Sequence, residues 1–337
     1  MSTRPGFSFL RHSSVAFGSR TVPSEEVDAE FGMPLGKLRD RAGILSVARS
    51  ESDETEVTLA AKAAREALAN ASASAKDLSW VIATSETHHQ FPSLAAQLHR
   101  EIGAAERCGA LDVGGACLGF LHALAVAKAF VVAGAALVLV VTADVHSRTL
   151  TAGRVAGEFG GLFGDGASAF LVQREIAGGD AASPGTFLME DFFFGCASQY
   201  QSAIEVAAQP EDRLHVVFEG EALSRAATAR LEQCIGELES RSSVPRTQVA
   251  AFATHQPNPR LVALLAKKAS VAIDRFPMIA DLRGNLGSTT CAAALHAALR
   301  SAREAVSKSA PIFLASLGPG LLFGGGWLAP VENTSLG

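Results

Sequence analysis

Short aliphatic runs alternate with longer helical patterns along this chain. Trp80-Val-Ile-Ala-Thr-Ser85 predicts a strand ending in small polar residues, and Ser93 to Ile102 predicts a helix. The stretch from Phe120 to Ala143 is interrupted before its polar end at Thr142 only by His122 and Lys128, so it has the roughly 20 apolar residues of a membrane span. Gly134 splits it, however. Before it, 118–133 predicts a helix that is apolar all round; after it, Leu137-Val-Leu-Val-Val141 is the aliphatic run of a strand buried on both faces. A buried helix and a buried strand are therefore expected, and no membrane partner.

The second half repeats the first. Val249-Ala-Ala-Phe-Ala-Thr-His255 predicts a strand with the same polar end, followed by a helix over Pro259 to Ala269. Leu111-Asp-Val-Gly-Gly in the first half corresponds to Ala280-Asp-Leu-Arg-Gly-Asn in the second. Each is followed by an apolar helix (Thr289 to Val306 in the second) and a strand, Leu137 to Thr142 or Ile312 to Ser316. Thr84 and Thr254 are 170 residues apart, half the chain. Buried strands alternating with helices imply an α/β fold of mainly parallel sheets, and helices apolar all round imply a layer trapped between two sheets. The expected organisation is two duplicated halves, 1–174 and 175–337. They meet near the glycine-rich segment Glu175 to Gly185, beyond the strand Ala169 to Gln173.

Composition narrows the function. A chain of 337 residues with 48% hydrophobic and 19% charged residues has too much apolar surface to be disordered. A net charge of −5 argues against a nucleic-acid partner. Five cysteines without a CxxC pair form neither a zinc site nor a disulfide framework, and read as reduced thiols in the cytoplasm. The N-terminus has no apolar signal region.

Cys117 stands in Gly115-Ala-Cys-Leu-Gly119, at the start of the long helix. Small neighbours permit a sharp turn, and the helix dipole is expected to lower the thiol pKa. The competing reading is a small buried hydrophobe, which is the default for Cys108, Cys196, Cys234 and Cys291. His255 ends a strand in Thr254-His-Gln-Pro-Asn258, at the edge where open α/β sheets bind ligands. The other eight histidines default to core or surface. Asn285, in Gly284-Asn-Leu-Gly-Ser288, is either a site residue or a helix cap. Neither Gly160 to Gly166 nor Leu317-Gly-Pro-Gly320 has nucleotide-loop spacing. Two enzyme readings survive: an α/β-hydrolase-like elbow with cysteine as nucleophile, and an acyl-transfer site of Cys, His and Asn assembled from both halves. The internal repeat favours the second.

Asp112 to Leu124 around Cys117, His255-Gln-Pro-Asn258 and Gly284-Asn-Leu-Gly-Ser288 resemble the three active-site motifs of 3-oxoacyl-ACP synthase III, in the thiolase superfamily. Arg41-Ala-Gly-Ile44, Phe91-Pro-Ser93 and Phe163-Gly-Asp-Gly-Ala167 match in the same order, so the resemblance covers nearly the whole chain. It implies a five-layered αβαβα thiolase fold, a homodimer, no cofactor or metal, and condensation of an acyl primer with malonyl-ACP. Cys117 would carry the acyl group while His255 and Asn285 hold the malonyl thioester carbonyl. It further implies that Phe91 caps the partner's acyl pocket, that Arg41 and Gly320 contact substrate, and that Arg225, Arg260, Lys267 and Lys268 dock the acyl carrier protein. Gln90, Arg148 and Phe192-Phe-Phe194 are candidates for the primer pocket.

The chain also departs from the family. Lys37 and Gly157 stand where the family has the tryptophan and arginine that stack on the CoA adenine (Arg154 is close to the latter), so the primer is expected on a carrier protein or with its adenine held differently. Pro319 has no N–H where many members supply an oxyanion donor, and Gly-Pro-Gly-Leu resembles a loop of type III polyketide synthases. The alternatives are a same-fold acyltransferase using an oxygen or nitrogen acceptor, a type III polyketide synthase-like enzyme, and a silent thiolase-fold subunit.

Overall fold

The computed structural model describes residues 7–174, 186–208, 214–218, 220–304 and 310–331, so the expected junction at 175–185 lies outside the described residues. Among the described residues nine strands form the central sheet. They are β1 (Phe9–Phe17), β2 (Trp80–Thr84), β3 (Gly109–Asp112), β4 (Leu137–Val145), β5 (Asp165–Gln173), β6 (Phe187–Cys196), β7 (Ala251–Thr254), β8 (Ile312–Gly318) and β9 (Leu322–Pro330). Six longer helices cover them: α1 (Glu56–Asn70), α2 (Leu94–Glu101), α3 (Gly119–Val132), α4 (Gly220–Ser242), α5 (Pro259–Lys268) and α6 (Thr289–Glu304).

The strand order is β7-β8-β9-β6-β1-β5-β4-β2-β3. In the first half β2 runs parallel to β4, β4 antiparallel to β5, and β5 antiparallel to β1. In the second half β7, β8, β9 and β6 repeat that series. The duplication read from the sequence is thus a duplication of pairing order. Among the described residues the two half-sheets pair where Phe9 and Leu10 of β1 meet Leu188 and Phe187 of β6.

Two sequence expectations need correction. The sheets are not mainly parallel: among the described residues only β2/β3, β2/β4 and β7/β8 pair in parallel. Strand β5 has helices on both sides, and an antiparallel strand buried on both faces carries the same aliphatic run as a parallel one. Also, Leu111 to Gly115 leads from strand β3, whereas its counterpart Ala280–Arg283 is a short helix.

Alternation along the strands places the layers. Val138 and Val140 of β4 pack with Leu124 and Val131 of α3 and with Leu295 and Leu299 of α6; Ile312 and Leu314 of β8 reach the same cluster from the other half-sheet. Leu139 and Val141 point the opposite way, onto α1 and α2. Phe313 and Ala315 likewise point onto α4 and α5. The result is five layers: helices, half-sheet, α3 with α6, half-sheet, helices. Small residues such as Ala123, Ala127, Ala292 and Ala294 are fully buried and let the central helices approach both sheets closely. Burial is not uniform along these helices, for Val132 and Arg300 near their C-terminal ends are exposed. No described helix is long and apolar enough to cross a membrane.

Candidate active site

Cys117 lies in the tight turn Ala116–Leu118 that opens α3. The turn needs Gly115, whose φ of 134° disfavours any side chain and whose Cβ would stand 2.4 Å from His122 Nδ1. Ala116 is held at φ 47°, a conformation that non-glycine residues adopt at a cost of order 1–3 kcal/mol. Ser316 Oγ, on β8, donates to the Cys117 carbonyl at 2.7 Å, so the second half of the chain fixes the nucleophile supplied by the first.

Asn285 is held just as firmly. Its backbone N–H donates to Leu162 O (2.8 Å) and its carbonyl accepts from Gly164 N (2.9 Å), which straps it to the Phe163-Gly-Asp-Gly segment. Its side-chain Oδ1 accepts from Gly287 N at 3.0 Å and from Thr290 Oγ1 at 3.2 Å. Those bonds assign the amide orientation and leave the NH2 group to donate elsewhere. His255 follows β7, its N–H donating to Ala315 O at 3.0 Å. Its ring is buried, Nδ1 has no partner, and burial pushes its pKa down to about 4 against the pull of Glu86, so the imidazole is neutral at pH 7. Gln256 binds its surroundings at both ends, accepting from Ile279 N and Ala280 N and donating to Pro277 O, while Asn258 caps α5 by accepting from Leu261 N.

Cys117, His255 and Asn285 line a single cavity with the apolar residues Phe159, Leu162, Phe163, Leu261 and Leu317. An apolar pocket with a thiol and two polar side chains suits a thioester with an acyl chain. Among the described residues, no cluster of acidic, His or Cys side chains is arranged to hold a metal ion.

The expected thiol activation is corrected. Burial raises the Cys117 pKa well above the ordinary thiol value, and the charges of Glu86 and Asp144 raise it further. A helix N-terminus contributes typically 0.3–1 kcal/mol, whereas burying a charge costs several. Glu86, Asp144 and His146 are the site residues that sequence reasoning passed over. Glu86 and His146 follow β2 and β4, and Asp144 is the last residue but one of β4; that place at strand ends is the positional signal that could have found them. Burial pushes Asp144 up to about 6, aided by Glu86; His146 is raised to about 9 because Glu86, Asp144 and Asp165 outweigh its burial.

The remaining candidates disperse. Arg148 is not brought to the cavity: its Nη2 donates to the carbonyls of Glu51, Ser52 and Glu54 at 2.9, 3.0 and 2.7 Å. Arg41 is exposed on the Leu38–Ala42 turn. Gly320, at φ 78°, presents its carbonyl to Cys196 Sγ, whereas Leu317, Gly318 and Pro319 of that segment line the cavity. Phe91 is 97% exposed and Gln90 is also exposed. Phe193 enters the outer core, and Phe192 and Phe194 stack on the other face of β6. Arg225 and Arg260 are exposed and adjoin the cavity-lining residues Ser224 and Leu261; Arg260 also donates to Asp40 O. Lys267 and Lys268 are exposed at the far end of α5. Lys37 pairs with Glu158, and Gly157 packs against Phe31 and Met33.

The buried and half-buried histidines set a pH dependence of stability. His12, His255 and His296 are each lowered to about 4, chiefly by burial. Between pH 6.5 and 4 the unfolded chain binds protons that the fold refuses, so stability falls with pH there. Asp144 works in the opposite sense over part of that window but is one group against three. His146, raised to about 9, adds stability that is complete below about pH 6.5 and lost as pH rises through 9. Thermal unfolding is expected to give a maximum Tm between these limits and a lower Tm at pH 4.5; His12→Asn should shrink the acid-side drop.

Family models of 3-oxoacyl-[acyl-carrier-protein] synthase III match residues 111–187, and of its C-terminal domain residues 240–329. The beta-ketoacyl-[acyl-carrier-protein] synthase III of Serratia proteamaculans is 30% identical over 290 residues, covering 84% of this chain and 87% of that protein. The crystal structure of the Aquifex aeolicus synthase III superimposes with a TM-score of 0.82 at 23% identity, covering 96% of this chain and 99% of that one. The priming beta-ketosynthase of a polyketide biosynthetic pathway superimposes with a TM-score of 0.82 at 24% identity, covering 99% and 100%.

Proposed function

The chain belongs to the 3-oxoacyl-[acyl-carrier-protein] synthase III family, and from that membership we propose a mechanism in which Cys117, His255 and Asn285 carry a decarboxylative condensation. The enzyme is a condensing acyltransferase of the thiolase fold. Cys117 Sγ attacks an acyl thioester and keeps the acyl group, releasing the donor thiol. Malonyl-ACP then enters. Its thioester carbonyl is held by the neutral His255 ring and the Asn285 amide while carbon dioxide leaves, and the resulting enolate carbon attacks the acyl-Cys117 carbonyl. The negative charge that develops on the malonyl oxygen is stabilised by fixed donors in an apolar cavity, where such donors are worth most. The Cys117 backbone N–H serves the acyl-thioester oxyanion.

The observation that carries this reading is the Asn285 amide, whose oxygen is fully engaged and whose NH2 group remains for a ligand in the Cys117 cavity. Transfer to an oxygen or nitrogen acceptor builds no enolate and has no use for that donor. A silent subunit has no use for the three residues together. The reading includes a cytoplasmic homodimer, supported by the nearly fully exposed Phe91 and by the open edge strand β3. It also includes an acyl carrier protein docked by Arg225 and Arg260 at the mouth, with Lys267 and Lys268 beyond.

The primer is delivered by a carrier protein rather than by CoA. The Lys37–Glu158 ion pair and the packed Gly157 offer an adenine neither an aromatic face nor a guanidinium. Intact-mass measurement after incubation with matched acyl-ACP and acyl-CoA should show one acyl increment on the wild type, absent from Cys117→Ala. Acyl-ACP is expected to react at least about tenfold faster than acyl-CoA, about 1.4 kcal/mol. Equal rates would remove the delivery reading, and no increment from any donor would favour the silent subunit.

A further inference from the structure

The two halves of the chain fix one another's site loops. Ser316 on β8, in the second half, holds the Cys117 turn of the first. The reciprocal hold comes from β4, the strand that β8 repeats. Its residue Asp144 is fully buried, and Oδ2 accepts from Ser288 Oγ at 2.6 Å. Oδ1 accepts from Glu86 N at 2.6 Å and from Ser85 Oγ at 3.3 Å. Two residues earlier, on the same face of β4, Thr142 Oγ1 meets Thr289 Oγ1 at 2.7 Å. Strand β4 therefore grips two successive residues of the segment that carries Asn285.

The Asn285 amide takes its direction from that segment. Its Oδ1 accepts from Gly287 N and Thr290 Oγ1, one residue before Ser288 and two after it. A slide of Ser288 would carry both donors with it, turn the amide and redirect its NH2 group. The loop also sits directly on its surroundings: a Cβ on Gly287 would stand 2.6 Å from His146 Cε1 and 2.9 Å from Glu86 Oε1. Burying a carboxylate is costly, and hydrogen bonds to its charged form offset the cost. Here the three bonds to Asp144 each tie a loop to β4.

We propose that Asp144 is the positioning residue for Asn285, setting through Ser288 the direction in which the amide NH2 meets the malonyl thioester carbonyl. The proposal rests on the condensing reading. Asp144 moves no proton and touches no substrate, since Asn285 and Cys117 line the cavity and Asp144 does not. A hydrogen bond weakens steeply as its donor swings off line, so a small displacement of the amide is felt in decarboxylation. Acylation of Cys117 does not use the amide and is felt less.

Two substitutions in the full-length protein test this. Ser288→Ala removes the hydroxyl that links Asp144 to the Asn285 loop. The ratio of carbon dioxide release from malonyl-ACP to acylation of Cys117 by an acyl-ACP should then fall about tenfold. Asp144→Asn should lower the same ratio by a smaller factor. Its amide oxygen still accepts from Glu86 N and its NH2 turns to Ser288, so a neutral and weaker bond remains. A double-mutant cycle separates positioning from simple support. In an Asn285→Ala background no amide is left to aim, and each substitution should change the ratio by less than about twofold. A loss of the same size in both backgrounds, or an unchanged ratio in both single variants, would overturn the assignment. A wild type that is acylated yet releases no carbon dioxide would overturn the condensing reading, and the positioning role with it.

Discussion

His255→Ala and Asn285→Ala are each expected to cut condensation with malonyl-ACP by about 10²–10³-fold while leaving Cys117 able to take up an acyl group. The separation follows from where the two side chains are anchored. Neither makes a hydrogen bond to Cys117 among the described contacts; the nucleophile is fixed by Ser316 and its own turn. Asn285 instead spends its oxygen on Gly287 and Thr290, so truncation removes one directed donor and leaves the Cys117 turn in place. Asn285→Asp should be no better than alanine, because a carboxylate facing an enolate oxygen repels the charge that the amide stabilised. Acylation followed by intact mass, run beside carbon dioxide release from malonyl-ACP, checks both halves on one sample. Equal loss of both activities would mean that the residues hold the site together and do not act on the second substrate.

Gly164→Ala should lose condensation to a similar degree and destabilise the fold by about 1–3 kcal/mol. A Cβ at residue 164 would stand 2.0 Å from the Arg283 carbonyl oxygen and 3.1 Å from that of Ala48, both backbone atoms that cannot rotate aside. Relief requires the 162–164 segment to part from 283–285. That parting breaks the bond from Gly164 N to Asn285 O and displaces the carbonyl that orients His146. The variant therefore disturbs the amide and the Glu86 cluster together. Urea unfolding and the condensation rate measure the two effects; an unchanged rate in a folded variant would show that the strap does not position Asn285.

Much of this site was legible before the fold was known, because its parts sit at strand ends that periodicity marks well. The strands at Trp80, Leu137 and Ile312 begin where the aliphatic runs begin, and Cys117, His255 and Asn285 follow β3, β7 and the Ala280–Arg283 turn. What could not be read has a physical reason in each case. Strand direction in β5 was hidden because burial on both faces erases alternation. Glu86, in Ser85-Glu-Thr87, looks like any polar turn after a strand; only the fold brings β4 and the Gly284–Ser288 loop over it and makes it a buried carboxylate. Arg148 follows His146 closely in sequence, yet its guanidinium turns outward to three carbonyls of the 51–54 loop, a direction that depends on a distant segment.

The most direct measurement is the fate of carbon in a single turnover. Wild-type enzyme acylated at Cys117 is mixed with malonyl-ACP, and carbon dioxide, free acid and ACP-bound product are counted together. One carbon dioxide and one 3-oxoacyl-ACP per acyl-enzyme consumed is the predicted result. Loss of the acyl group from Cys117 with the malonyl group intact, whether to water or to an added alcohol or amine, would contradict it.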